Sequence, residues 1–117
     1  MRRFRANAVA AVELPEYETF TVVLAEDSDG DGERLEFQKA FSFDEQDRLL
    51  GTDTYCLCTE MRTVYGGVTS WTLTGGTLEV RLDERAAQML GVEGGFLVSF
   101  PPENLPAVRE GLERVLG

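Results

Sequence analysis

The sequence predicts an α+β domain: an antiparallel sheet of about six to eight strands carrying a short helix and a C-terminal helix. Three observations predict it. Apolar residues alternate with polar ones through most of the chain, the period of a half-buried strand. The run Thr74-Gly75-Gly76-Thr77 joins two such stretches as a tight hairpin would. Helical spacing of apolar residues over several turns appears only at the end, in Leu105, Val108, Leu112, Val115 and Leu116. The 117 residues are the size of one domain, residues 1–117, able to bury a core without disulfides or metal.

In chain order, Phe4, Ala6, Ala8, Ala10 and Val12 alternate with Arg5, Asn7, Val9 and Ala11, which predicts one strand over residues 4–12. Phe20, Val22 and Leu24 mark the next strand. Leu35, Phe37 and Phe41 mark its return after a polar loop, 27–32, rich in Asp and Gly. Residues 44–51 break the rhythm: acidic at the front and closed by Gly51, they predict one or two helical turns. The stretch 54–60 is a strand, with Tyr55 and Leu57 on one side and Cys56 and Cys58 on the other.

Strand character continues through 63–65 and 68–74 around Gly66-Gly67, a pair that marks a bulge or a close approach to the backbone. Leu78, Val80 and Leu82 alternate after the hairpin, and Asp83 caps a short helix over 84–90 that Gly91 stops. Residues 96–100 form a strand ended by Pro101-Pro102. The last helix takes Asn104 as its cap, tolerates Pro106 in its first turn, and packs through Leu105, Val108, Leu112 and Val115.

Twenty-one acidic side chains face eleven basic ones, a net charge of −10. Such a surface repels nucleic-acid phosphates and anionic membranes and attracts basic proteins. No nucleic-acid or membrane partner is expected, although solubility alone accounts for acidity equally well. No stretch is long and apolar enough to span a bilayer. The start, Met1-Arg2-Arg3-Phe4-Arg5, is basic like an export signal, but the apolar run after it is interrupted by Asn7 and ends at Glu13. A disulfide between Cys56 and Cys58 would be strained, so both are read as reduced, buried thiols in a reducing compartment. The expected location is cytoplasmic.

The chain has no histidine, which removes the commonest general base and zinc ligand. It has no GxSxG, P-loop or GxGxxG. Asp53 and Glu60 bracket a strand but fall on opposite faces by parity. No catalytic residue and no cofactor is assigned, and the protein is not read as an enzyme. Cys56 and Cys58 offer two thiolates, and nothing in the sequence marks further ligands, so no metal is assigned either. Asp27, Asp29 and Asp31 followed by Gly32 resemble the start of a calcium loop, but the closing position is Gln38 and the flanks are strands, so a solvated hairpin tip is predicted. Trp71 is read as a core residue; for Tyr65, core and interface are equally good readings.

Phe43-Asp44-Glu45-Gln46-Asp47, then Asp53-Thr54-Tyr55-Cys56, Glu60, and Tyr65-Gly66-Gly67-Val68 before Trp71 together resemble the immunity protein 10 family of bacterial polymorphic toxin systems. The likeness extends less sharply through 78–82 and 112–117. It implies a small α+β cytoplasmic antidote that binds and neutralises a toxin encoded beside it. Charge, not the family, points to the 27–32 loop. The expected partner surface joins Asp27, Asp29, Asp31 and Glu60 with Tyr65 as an anchor beside Gly66 and Gly67, and the cognate toxin is expected to be basic. The protein is expected as a monomer or homodimer. The alternative from another class is a small ligand- or metal-binding regulatory module using the same sheet face and acidic loop; a homo-oligomeric accessory protein is a third.

Overall fold

The computed structural model describes residues 1–29 and 31–117, and among these it has nine strands and three helices. In order they are β1 (Arg2–Arg5), β2 (Ala8–Leu14), β3 (Thr19–Ala25), β4 (Arg34–Ala40), α1 (Glu45–Leu50), β5 (Cys56–Thr59), β6 (Thr63–Tyr65), β7 (Val68–Thr74), β8 (Thr77–Leu82), α2 (Glu84–Leu90), β9 (Gly95–Ser99) and α3 (Leu105–Leu116). The α+β class and the C-terminal helix are as the sequence predicts. The strands divide between two sheets, however: a four-stranded one in the order β1-β9-β8-β7 and a five-stranded one in the order β2-β3-β4-β5-β6. All neighbouring pairs are antiparallel except β1 and β9.

The division arises at two corners. The first splits what reads as one strand over 4–12. The Ala6 N–H donates to the Ser99 carbonyl (2.7 Å) in one sheet, and the Asn7 N–H donates to the Ala25 carbonyl (2.9 Å) in the other. The corner also reverses the parity. Phe4 and Ala6 are buried, but in β2 the residues packed against the core are Val9 and Ala11, while Val12 is 44% exposed. A one-residue change of phase turns every later side chain of a strand to the opposite face.

The second corner is Gly66-Gly67, with φ of 69° and 98°, a region that glycine enters without steric cost. Tyr55 braces it twice: its carbonyl accepts from Gly66 N–H (2.9 Å) and its hydroxyl accepts from Val68 N–H (2.9 Å). A Cβ on Gly67 would run into the Cβ of Ala86 on α2. The close approach that the glycine pair allows is therefore made by the protein's own helix.

One core joins both sheets. Phe20, Val22, Leu24, Leu35, Phe37, Leu57 and Val64 of the five-stranded sheet pack with Phe4, Leu78, Val80, Leu82, Phe96 and Val98 of the other. Val108, Leu112 and Val115 of α3 complete it, as their spacing predicts, and Tyr55 and Trp71 pack against it half-buried. The Asp83 cap of α2 is as expected, its carboxylate accepting from Ala86 N–H (2.7 Å), and the acidic front of α1 proves to be a reciprocal capping box of Asp44 and Asp47. Asn104 makes no side-chain cap; a 3-10 turn over Pro102–Asn104 leads into α3 instead.

Two stability outcomes follow. Leu112→Ala should cost about 2–5 kcal/mol in denaturant melts, because Leu112 is fully buried; a loss well below that range would mean that α3 is not docked through it. Gly67→Ala should cost more than Gly75→Ala by about 1–3 kcal/mol. Both take positive φ, but only Gly67 has a neighbour, Ala86, where the new methyl would go. Equal losses would mean that the corner does not rest on α2.

Candidate functional site

In β3 the even-numbered residues face the core, so the odd-numbered ones face outward, and the register extends them into rows across the whole five-stranded sheet. One row is Val12, Thr21, Gln38, Cys56 and Tyr65; the next is Ala10, Val23, Glu36, Cys58 and Thr63. The helix α3 packs on the opposite face, where Gly111 lies against Val22 and Ala11. A groove of about 180 Å³ opens on the outer face, lined by residues including Gln38, Phe43, Asp47, Cys56 and Tyr65, so α1 and its approach border it. Tyr65 is 44% exposed. That exposure removes the core reading the sequence left open for it.

A polar chain runs across this face. Arg34 Nε lies 3.2 Å from Glu36 Oε1, Gln38 Nε2 donates to Glu36 Oε2 (2.7 Å), and the Cys56 thiol reaches Gln38 Oε1 at 3.7 Å. The sulfurs of Cys56 and Cys58 are 3.9 Å apart, both reduced. They are half-buried rather than buried as the sequence suggested, because the core takes the Leu57 side of β5. The two thiols share one proton effectively. The Cys56 hydrogen bond lowers the Cys58 thiol to about 6, against the opposing effect of burial, with further help from Thr63. The same hydrogen bond, then burial, pushes Cys56 up.

The acidic tip lies at one end of this sheet. Asp27 Oδ1 accepts from the N–H groups of Asp29 and Asp31 (3.1 Å each), so its carboxylate builds the turn, while Asp29 and Asp31 are exposed. Gly30, part of the calcium-loop comparison, lies outside the described residues. Among the described residues no three Cys, Asp or Glu side chains are grouped to hold a metal.

Glu60, in the β5–β6 turn, comes to the base of the same tip. Arg2 bridges the sheets there: its Nε pairs with Glu33 at 2.7 Å and its Nη2 with Glu60, while Glu60 also accepts from Arg34 N–H (3.1 Å). Partial burial would raise the Glu60 carboxyl, but its own backbone N–H, Arg2 and the Arg34 N–H outweigh that and lower it. For Arg2, burial pulls down and the two carboxylates win, so it is raised.

The structure thus joins Glu60 to the acidic tip, and Tyr65 to the cysteines. It does not join those two groups. Tyr65 is in the row of Gln38, four residues along β4 from Arg34, so it stands about 13 Å from the base of the tip. Gly66 and Gly67 shape the corner after Tyr65, whose carbonyl accepts from Arg85 Nη2 (2.9 Å).

Sequence reasoning passes over Arg2 and over the leucines of α1. Leu49 and Leu50 are 81% and 67% exposed, and α1 buries no residue. The signal was present: consecutive residues on a helix point about 100° apart, so a six-residue helix without i+3 or i+4 apolar partners cannot bury both.

A family model described as Immunity protein 10 matches residues 5–105. No curated protein and no solved structure matches the chain.

The shared proton has a chemical consequence. Alkylation of Cys58 by iodoacetamide, followed by peptide mapping, should keep its rate down to about pH 6, whereas an ordinary thiol slows below about pH 8.5. Cys56→Ala removes the donor, so the midpoint should move up. A wild-type midpoint already near that of an ordinary thiol would show that the two sulfurs do not share a proton.

Proposed function

The chain belongs to the immunity protein 10 family, and from that membership we propose that it binds and neutralises a toxin encoded beside it in a polymorphic toxin system, in the cytoplasm of the cell that makes both. The family match over residues 5–105 is the observation that carries this reading. Inhibition by binding requires no catalysis from the antidote, and the chain's lack of histidine and of a nucleophile motif fits that.

The outer face of the five-stranded sheet is the surface best suited to the task. Its middle rows hold Ala10, Val12, Val23, Cys56, Cys58 and Tyr65, with Glu36 as the one carboxylate among them. Charge collects at the margins, on Asp29, Asp31 and Glu60 at the tip and on Asp47 beside the groove. A weakly polar centre within a charged rim is the usual anatomy of a protein interface. Partner contact by Asp27, Asp29, Asp31, Glu60 and Tyr65 is thus one surface in two parts, with Gly66 and Gly67 supporting it from the corner. A standard interface of about 800 Å² a side is about 30 Å across, wide enough to cover both parts. The acidic margin suits a basic toxin, since opposite charge speeds encounter.

The two parts should differ kinetically. Asp29→Asn with Asp31→Asn should slow association with the neighbouring toxin and flatten its salt dependence, leaving Asp27 to hold the turn. Tyr65→Ala should speed dissociation and cost about 2 kcal/mol or more. Surface-plasmon kinetics at two salt concentrations, beside growth rescue of cells expressing the toxin, test both. No binding and no rescue by the wild type would overturn the antidote reading. Unchanged rates in both variants would overturn the surface while leaving that reading intact.

A further inference from the structure

Cys56 and Cys58 occupy adjacent outward positions on β5, which is hydrogen-bonded to β4 on one side and β6 on the other. Their sulfurs stand 3.9 Å apart and half-buried, at the groove that Gln38, Asp47 and Tyr65 also line. That separation is far from the roughly 2.05 Å of a disulfide. Closing it would bend a strand held on both edges. A two-coordinate soft ion takes its two sulfurs farther apart and nearly in line with it, an opening that rotation about the two Cα–Cβ bonds supplies without moving the strand.

The surroundings decide the kind of ion. Zinc fills a tetrahedral shell of four donors, and among the described residues no third Cys, Asp or Glu joins the pair in a metal-holding group, while the chain has no histidine. Calcium and magnesium want oxygen donors. A soft monovalent ion is satisfied by two thiolates, and thiolate donors select Cu(I) among biological metals. Gln38 Oε1, 3.7 Å from Cys56 Sγ, is too hard a donor to compete for such an ion.

We propose that Cys56 and Cys58 form a bidentate thiolate site for a soft monovalent metal ion, Cu(I), on the open face of the five-stranded sheet. Binding releases the protons of the thiols to solvent and changes no oxidation state. The β5 backbone, paired on both edges, keeps both sulfurs on one face, so the second bond forms at high effective concentration. Binding of the ion requires no toxin, although a toxin seated on this face would cover the pair.

The test is anaerobic titration of the purified chain with Cu(I) against the chelator bicinchoninate. One equivalent should be held by the wild type, and Cys56→Ser and Cys58→Ser should each weaken binding about tenfold or more, since each leaves a single thiolate. A smaller loss in either variant, or uptake no greater than that of the doubly substituted chain, overturns the proposal. X-ray absorption on the unsubstituted chain reads the same point without relying on any variant's folding. A shell of two sulfurs supports the site, and a shell of nitrogen and oxygen rules it out.

Discussion

The molecule depends on the chain's leaving one sheet for the other twice within its first seventy residues, at Ala6-Asn7 and at Gly66-Gly67. Each crossing has to satisfy the backbone on both sides. Ala6 and Asn7 do so by donating into different sheets, and Gly66 and Val68 do so through the carbonyl and hydroxyl of one tyrosine, Tyr55. Because the first crossing comes so early, β1 is carried away from β2 and lies parallel to β9, near the far end of the chain. Because the second follows Tyr65 directly, that side chain ends the outer row of the five-stranded sheet instead of continuing into β7.

Elements whose signals are local were legible. The Thr74–Thr77 turn, the Asp83 and Gly91 boundaries of α2 and the apolar spacing of α3 each involve residues a few positions apart, and each is found where its chemistry placed it. The division into sheets was not legible. Alternation says which side chains share a face and nothing of which strand lies beside which. In β2 it misled even about the face, because both series, Val9 with Ala11 and Ala10 with Val12, are apolar. The cysteines posed the same problem beside Leu57: both faces of β5 carry residues that tolerate burial. The candidate site was legible as a set of residue types and not as a place. The acidic loop and Tyr65 each reach the surface, and only the register separates them.

The weight of stability lies in the shared core, and polar groups set its alignment. Arg2 illustrates the balance. It extends from the four-stranded sheet, with its guanidinium about 6 Å from the rings of Phe4 and Phe96, and pairs with carboxylates from two turns of the other sheet. Its carboxylate partners outweigh the partial desolvation and hold its pKa up, but a partly exposed ion pair contributes modestly beside twenty or so buried apolar side chains. Its directional value is larger: it fixes the acidic tip against the end of β1. By contrast α1 has caps at both ends and no buried residue, so it is the helix with least to lose by moving, and it borders the open groove.

A sheet can be recognised by its edge or by its face, and here the edges are poorly suited. At one edge β6 is only three residues long, and Arg85 already occupies the Tyr65 carbonyl. At the other, β2 has Arg114 of α3 drawn against it by an ion pair to Glu13 at 2.8 Å, with the guanidinium stacked 4.2 Å from the Phe20 ring, and Pro15 ends the strand. Strand addition needs a run of free backbone donors and acceptors; β6 is too short to offer one, and the run along β2 closes where Arg114 and Pro15 crowd its end. The outer face differs in kind. It is broad, five strands wide, left free by α3 on the opposite side, and carries small and apolar side chains at Ala10, Val12, Val23 and the two cysteines beside the polar Gln38 and Glu36. The corners that set this sheet apart from its neighbour therefore also determine how it can be met: from the front, across the rows that end in Tyr65, with the acidic tip projecting from one margin.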